Sequence, residues 1–182
     1  MIVGITGTLG AGKGTIVEIL KKHDFIHFSV RALIIEHIKK RNLPVNRDSM
    51  QAVANSLRQE HGPSYLVDEL FTRAKKAKKS AVIESIRCPG EVESLREKGE
   101  FLLLAVDADP KKRYERVIKR GSTTDMVSFE EFVEQEEQEM QSTDPFRQNI
   151  SWCMKHADIA LTNNSSIDEL EANVEKLIKE HL

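Results

Sequence analysis

A glycine-rich string close to the N-terminus constrains the fold more than any other feature of the chain. It runs from Gly7 to Thr15, follows the apolar run Ile2-Val3-Gly4-Ile5, and precedes a helical pattern. A strand, a loop of small residues and a helix in this order are typical of a phosphate-binding loop, or P-loop. Small residues let successive backbone N–H groups and the helix N-terminus point at one anion. The residues predicted to surround the phosphates are Leu9, Gly10, Ala11, Gly12, Lys13, Gly14 and Thr15.

The end of this loop departs from its common form. Ser or Thr usually follows the lysine directly, whereas here Gly14 stands between Lys13 and Thr15. Lys13 would reach the terminal phosphates, and the hydroxyl of Thr15 would face Mg²⁺. The sequence therefore predicts a binding site for a nucleoside triphosphate with its magnesium ion.

Composition is that of an ordinary globular protein. The chain has 182 residues, of which 40% are hydrophobic and 31% charged, enough for one domain with its own core. A formal net charge of −2 does not favour binding to nucleic acid, and no apolar run approaches the length of a membrane span. A strand already occupies the N-terminus, so we expect no signal peptide. These features predict a cytoplasmic protein that binds neither nucleic acid nor membrane. We expect a monomer or small homo-oligomer, although the sequence does not decide between them.

Other clusters of reactive or charged residues do not indicate a site of their own. The run Lys75 to Lys79 ends a helix, where positive charge complements the helix dipole, and no aromatic residues interleave it. Cys88 and Cys153 are interpreted as two reduced thiols, and the six histidines show no metal-ligand spacing with them. A GTPase switch would need an Asn-Lys-x-Asp string, and the sequence contains none. An ABC or AAA-type motor would need a longer chain with further signature motifs, so we expect the protein to belong to neither class.

Short apolar runs alternate with helical patterns along the chain. This alternation predicts an α/β fold, with strands buried on both faces of a parallel sheet. The predicted strands are residues 2–6, 25–28, 81–83, 101–106 and 159–161. Within one domain, residues 1–28, 80–120 and 157–182 form the predicted core. Residues 29–79, with three helices, and residues 121–156 are longer than a crossover needs, so we expect them to form a binding insertion and a lid.

Helix boundary signals agree with this division. Asp109-Pro110 combines a cap residue with proline at the first helical position, and Gly121 closes the same helix. Capping-box spacing occurs at Ser128 with Glu131 and at Ser166 with Glu169. Gly62-Pro63 is predicted to divide the long helical stretch of the first insertion into two helices.

Charged residues fall where the strands and insertions would bring them near the phosphates. Glu84 and Arg87 follow the third strand, where a carboxylate can hold Mg²⁺ through water and a guanidinium can grip a phosphate. Arg113, Arg116 and Arg120 share one face of a helix. We expect Arg116 and Arg120 to act with Lys13 and Arg87 on the transferred phosphoryl group, and leave Arg113 open between function and a surface ion pair.

The insertions supply further candidates. In the first insertion, the predicted contacts to a second substrate are Arg31, Arg47 and Arg58, together with Arg87. In the second, Arg147 is positioned to swing onto phosphate when a lid closes. Six glutamates, Glu130, Glu131, Glu134, Glu136, Glu137 and Glu139, crowd one helix there, and we interpret them as a solvated lid face.

These motifs together resemble the nucleoside-monophosphate kinases, adenylate kinase among them. The resemblance covers nearly the whole chain and includes the Gly12-Lys13-Gly14-Thr15 ending. The strings Val106-Asp107-Ala108-Asp109 and Ala157-Asp158-Ile159, followed by Asn163-Asn164, also resemble dephospho-CoA kinases. Closest is an archaeal and bacterial kinase-like group that shares Ile83-Glu84-Ser85-Ile86-Arg87 and Asn46-Arg47-Asp48.

The resemblance implies a three-layer P-loop kinase fold with a five-stranded parallel sheet, a helical acceptor-binding insertion and a mobile lid. It implies ATP with Mg²⁺, a small phosphorylated nucleoside as acceptor, and an adenine base near Thr162, Asn163 and Asn164. One departure concerns the loop after the second strand, Phe28-Ser29-Val30-Arg31, which lacks the carboxylate that dephospho-CoA kinases use as a base.

We therefore expect transfer of the γ-phosphoryl group to a nucleoside or deoxynucleoside monophosphate. A hydroxyl acceptor, dephospho-CoA or a nucleoside, with Glu84 as the base, is the first alternative. A nucleotide-binding regulator without catalysis is the second. The base, the sugar, ATP against GTP as donor and the oligomeric state stay open at this point.

Overall fold

Five parallel strands form the centre of the molecule. The computed structural model describes residues 1–121 and 127–182. The strands are β1 Ile2–Gly7, β2 Ile26–Ser29, β3 Ala81–Glu84, β4 Phe101–Asp107 and β5 Ile159–Thr162. They pair in the order β2-β3-β1-β4-β5, and each pairing is parallel. The carboxyl ends of the strands therefore meet at one edge of the sheet.

Helices fill the connections between the strands. In the described ranges they are α1 Lys13–Lys22, α2 Val30–Lys40, α3 Arg47–His61, α4 Tyr65–Ala77, α5 Pro89–Glu97, α6 Pro110–Arg120, α7 Phe129–Met140, α8 Ile150–Lys155 and α9 Ile167–His181. Three of them, α2 to α4, lie between β2 and β3, as expected for the first insertion. Along the residues that the structure covers, no helix has the length and apolar character needed to cross a membrane.

The helices cover both faces of the sheet, which gives the expected three-layer α/β architecture. Alternate residues of a strand point to opposite faces, so Ile2 of β1 packs with α2, α3, α4, α5 and α8. Val3 and Ile5 pack on the other face with α1 and α9. Each face is closed by buried aliphatic side chains, and the rigid sheet between them fixes where the strand ends lie.

Each strand continues one residue beyond its predicted end. The added residues are Gly7, Ser29, Glu84, Asp107 and Thr162. They are glycine or polar, so the apolar pattern does not include them, but ladder pairs such as Ser29 with Glu84 and Asp107 with Thr162 extend through them. The polar ends of the strands are thus held in the sheet itself, at the edge where the candidate site lies.

The predicted helix boundaries are largely confirmed. Asp109 caps α6 by accepting from the backbone N–H groups of Lys111 and Lys112, and Gly121 ends it in the left-handed conformation with φ 66°. Ser128 and Glu131 form a complete capping box at α7. Ser166 accepts from the N–H of Glu169 at α9.

Candidate functional site

The P-loop wraps so closely against its surroundings that glycine is required at three positions. Gly7, Gly10 and Gly12 have φ values of 134°, 80° and 109°, a region that disfavours side chains. A Cβ at Gly7 would lie 2.0 Å from the carbonyl oxygen of Val106, and one at Gly12 would lie 2.4 Å from Nδ2 of Asn163. A Cβ at Gly14 would meet nothing within 4 Å, so packing does not explain that glycine.

Lys13 folds back over its own loop. Its Nζ donates to the carbonyl oxygens of Gly7 at 2.9 Å and Thr8 at 2.6 Å. The side chain is buried. Burial first, and then the charge of Arg87, lower the pKa of Lys13 to about 7. The anionic oxygens of a polyphosphate would add negative charge and so stabilise the charged form of this buried group.

The loop is supported from strand ends and from α6. Asn163 donates from Nδ2 to the carbonyl oxygen of Ala11 at 2.8 Å, and its backbone carbonyl oxygen accepts from Nη2 of Arg116 at 2.9 Å. The hydroxyl of Thr8 donates to Asp107 at 2.5 Å. Arg113 is buried and donates to the carbonyl oxygen of Leu9 at 3.3 Å. The backbone of the P-loop is therefore held in shape before any ligand arrives.

Glu84 places an ionised carboxylate beside Lys13. It accepts from the hydroxyl groups of Ser85 at 2.9 Å and Ser29 at 3.4 Å, and lies 3.6 Å from Nε2 of His27. Burial alone would raise the pKa of Glu84, but His27, Lys13 and Ser85 outweigh it and lower the pKa to about 2.

The chemistry of these donors fits magnesium. Mg²⁺ prefers oxygen ligands, keeps several waters, and usually takes one or two protein groups plus phosphates. The Thr15 hydroxyl and the Glu84 carboxylate line the same cleft as Lys13 and could serve as those groups. Among the described residues, no cluster of three or more histidine, cysteine or acidic side chains could hold a metal without a ligand's help.

Two clefts open at this edge of the sheet. The first, here called the P-loop cleft, has about 1730 Å³ of space. Its lining includes Gly10, Gly12, Lys13, Gly14, Thr15, Glu84, Arg116, Val117, Lys119, Arg120, Asn163, Ile167 and Leu170. Arg116 and Arg120 thus lie along the predicted triphosphate site, whereas Arg113 turns away beneath the loop.

The second cleft, here called the arginine cleft, has about 730 Å³ of space. Four arginines, Arg31, Arg47, Arg58 and Arg87, line it together with Val30, Ile34, Met50, Gln51, Ala54, Glu139 and Gln148. Leu9, Arg31, Ser85 and Arg87 line both clefts. The residues that the sequence assigned to a second substrate therefore lie directly beside those assigned to the triphosphate.

Arg58 differs from the other three arginines because it is buried against an acid. It is 1% exposed and its Nη2 lies 2.8 Å from Glu91, which is 0% exposed. The other oxygen of Glu91 accepts from the backbone N–H groups of Arg87 at 2.8 Å and Cys88 at 3.1 Å. The pair therefore holds the backbone that carries Arg87. The Nη1 of Arg58 has no hydrogen-bond partner among the described residues.

The interpretation of α7 as a uniformly solvated acidic face is wrong for two of its glutamates. Glu139 lies 2.5 Å from both Arg47 and Arg87. Glu136 forms an ion pair with Arg113. The exposed fractions of the Glu139 and Glu136 side chains are 14% and 19%. All three pairings are long-range in sequence, so composition and helical spacing could not indicate them.

Other predicted residues lie farther from the clefts. Arg147 is 68% exposed and pairs with Asp144 at 3.3 Å. Asn164 accepts from the backbone N–H of Asp109 at 2.7 Å, and Thr162 ends β5. Of the three residues predicted near the adenine, the P-loop cleft includes Asn163 in its lining.

The fold also brings to the site three residues that were not predicted from the sequence, Ser85, Gln148 and Glu91. Ser85 lies where the two clefts meet and has a positive φ of 76°. Gln148 accepts from Arg87 at 2.7 Å, and Glu91 supports the same arginine from behind. For Ser85 the signal was available, because it directly follows an acidic strand end. Gln148 and Glu91 carry no local pattern that distinguishes them.

Comparison with known proteins places this geometry in context. A family model described as an AAA domain matches residues 3–144. A UPF0200 protein of Thermococcus kodakarensis is 32% identical, over 99% of this chain and 97% of its own. A UPF0200 protein of Pyrococcus abyssi is 30% identical, over 100% of this chain and 97% of its own. This match concerns the domain and not motor activity. That the protein is not an AAA-type motor stays a prediction.

Solved structures share the fold at low identity. TT1252 of Thermus thermophilus superposes with a TM-score of 0.68 at 19% identity, covering 100% of this chain and 98% of its own. A gluconokinase of Sinorhizobium meliloti superposes with a TM-score of 0.58 at 14% identity, covering 97% of this chain and 93% of its own. Shikimate kinase of Aquifex aeolicus superposes with a TM-score of 0.54 at 11% identity, covering 98% of this chain and 96% of its own.

Proposed function

The chain belongs to the UPF0200 family and to the family described as an AAA domain, and it shares the fold of shikimate kinase and gluconokinase; from this premise we propose that it is an ATP- and Mg²⁺-dependent phosphotransferase. Its proposed acceptor is the phosphate of a nucleoside or deoxynucleoside monophosphate. The observation that carries this proposal is the junction of the two clefts, which share Leu9, Arg31, Ser85 and Arg87. A donor phosphate in one cleft and an acceptor phosphate in the other would meet at that junction.

The donor would lie in the P-loop cleft. The backbone of the P-loop and Lys13 would bind its β- and γ-phosphates, while Arg116 and Arg120 would neutralise charge along the triphosphate. Ile167 is 66% exposed in the same cleft. An apolar side chain at that place offers a surface for a base, close to Asn163, as ATP would require.

The acceptor would lie in the arginine cleft. Arg31, Arg47 and Arg87 present guanidinium groups, which match phosphate oxygens in geometry and charge. On the same lining, Val30, Ile34, Met50 and Ala54 form an apolar wall suited to a base or sugar. On this basis we assign residues 29–79 to acceptor binding. We also propose residues 121–156 as a lid, of which residues 122–126 lie outside the described part of the chain.

The residues of the chain would act by positioning and by charge. Phosphoryl transfer needs the two oxygens in line and cations around the transferred group. Arg87 lies at the junction and Lys13 in the adjoining P-loop cleft, and Leu9 and Ser85 would exclude water at the junction. Thr15 and Glu84 would hold a magnesium ion, which would supply positive charge to the phosphates.

A phosphate acceptor is favoured over a hydroxyl because of the state of Glu84. A general base works best with a pKa near the working pH, whereas the pKa of Glu84 is lowered to about 2. A hydroxyl acceptor stays the second candidate, because Glu139 does place a carboxylate in the arginine cleft. Both of its oxygens, however, are engaged by guanidinium groups.

The test is a panel assay of ADP release. Nucleoside and deoxynucleoside monophosphates, nucleosides and dephospho-CoA are offered with MgATP, and Lys13→Ala provides the blank. We expect turnover with at least one monophosphate. Turnover with nucleosides or dephospho-CoA alone would replace the proposal by the hydroxyl-acceptor alternative. ATP binding without turnover on any acceptor would point to a regulator instead.

A further inference from the structure

Glu139 already fills the position between two arginines of the arginine cleft. One carboxylate oxygen accepts from Nη2 of Arg47 and the other from Nη1 of Arg87, each at 2.5 Å. Arg47 lies on α3, Arg87 follows β3, and Glu139 lies on α7. One side chain therefore joins three separate elements across the mouth of the cleft.

A carboxylate in this position imitates a bound phosphate. Both groups present two oxygens to guanidinium donors in similar geometry. Four arginines line the cleft, and Arg58 is matched by Glu91 behind it. Glu139 matches Arg47 and Arg87, whose side chains are 28% and 23% exposed and so partly shielded from water. Of the three arginines assigned to an acceptor phosphate, Arg47 and Arg87 are thus already paired with a carboxylate of the chain itself.

We propose that Glu139 is a specificity-determining residue whose carboxylate occupies the seat of the acceptor's phosphate and competes with it. A tethered side chain acts at high effective concentration. Free anions therefore displace it only at high concentration, whereas a substrate that also contacts the apolar wall of the cleft displaces it more readily. The inference rests on the proposed function in one respect, the placing of an acceptor phosphate between Arg47 and Arg87.

The rest of α7 is held by contacts that do not involve Glu139. Glu136, one turn before Glu139 on α7, stays paired with Arg113 beneath the P-loop. Tyr114 of α6 packs against Phe129 and Phe132 of α7 at ring distances of 5.3 and 5.6 Å. These contacts would hold α7 in place when Glu139 releases its arginines.

The test measures phosphate binding directly. The P-loop is first filled with Mg²⁺ and a non-hydrolysable ATP analogue, and inorganic phosphate is then titrated by calorimetry. Glu139→Gln removes the competing charge and is expected to bind phosphate about tenfold more tightly than the wild type, equal to about 1.4 kcal/mol. Glu139→Asp, which draws the carboxylate back, is expected to bind more tightly as well.

Matched variants make the result specific. Glu137→Gln makes the same charge change at an exposed position of the same helix, and its phosphate affinity is expected to equal that of the wild type. Adding Arg87→Gln to Glu139→Gln is expected to abolish the gain. The proposal is overturned if Glu139→Gln and Glu139→Asp bind phosphate no more tightly than Glu137→Gln. Because no turnover is measured, an inactive acceptor panel would remove the proposed function and leave this result intact.

Discussion

At the scale of single residues, Lys13 connects burial to ligand chemistry. Its ammonium group donates to two carbonyl oxygens of its own loop, and burial with the nearby Arg87 lowers its pKa to about 7. A polyphosphate in the cradle would favour the charged form. The free chain and the complex should therefore differ in how many protons they hold above neutral pH.

Binding of MgATP at pH 8 is expected to take up close to one proton. In the free protein Lys13 would be mostly neutral at that pH, since its pKa is about 7, and the triphosphate would raise the pKa again. Calorimetry in two buffers of different ionisation enthalpy measures the uptake. Lys13→Arg is the control, because a guanidinium stays charged throughout. Equal uptake by both proteins would show that another group is responsible.

Glu84 gives a second prediction from a pKa. Because its pKa is about 2, it is ionised in both the free and working protein from pH 5 upward. Glu84 is thus expected to contribute no acidic limb to the pH profile of kcat/KM. Between pH 8 and 5 the profiles of the wild type and of Glu84→Gln should have the same shape. The same variant is expected to need more Mg²⁺ for half-maximal rate and to lower kcat about 100-fold, within the range for lost positioned groups. An acidic limb lost with Glu84 would identify it as a general base.

At the scale of elements, the pair of Arg58 on α3 with Glu91 on α5 joins the first insertion to the sheet edge. Breaking a buried pair by removing one partner costs about 3–5 kcal/mol, whereas replacing both costs less. Urea unfolding of Arg58→Met and Glu91→Gln is expected to show losses of that size. The double variant is expected to recover part of them. Losses that simply add would mean that the two side chains do not depend on each other.

The same scale shows what local patterns predict. The five strands and the α2–α4 insertion follow from apolar runs and helix caps, because these depend on neighbours in sequence. The strand ends at Ser29 and Glu84 were missed by one residue each, since ladder pairing extends into polar positions. Glu139 was misinterpreted because its partners lie 92 and 52 residues away, and no spacing on α7 separates it from Glu137.

At the scale of the whole molecule, the P-loop, the strand ends and α7 meet at one edge of the sheet, where their residues line the two clefts. The sequence indicated most arginines of the clefts, because charged residues after parallel strands converge there. It could not indicate which of them are matched by internal carboxylates, since that depends on how α3, α5 and α7 pack. The P-loop contacts of Asn163 and Arg113 depend on the same long-range packing.

Ligand binding at that edge should stabilise the entire chain. MgATP at about 100 times its Kd would add about 2.7 kcal/mol to the free energy of unfolding. For a protein of this size that corresponds to a rise in Tm of about 5–10 °C. Differential scanning calorimetry checks it, with Lys13→Ala expected to show little shift. An equal rise in that variant would place ATP outside the P-loop cleft.

The central claim is that the two clefts hold donor and acceptor phosphates side by side. A two-headed compound, with two nucleosides joined through five phosphates, tests it most directly by competition calorimetry. The account predicts that one molecule binds per chain, that it excludes both the ATP analogue and a monophosphate, and that Lys13→Ala and Arg87→Ala each weaken it. A compound that displaces the ATP analogue but leaves the monophosphate bound would contradict the account.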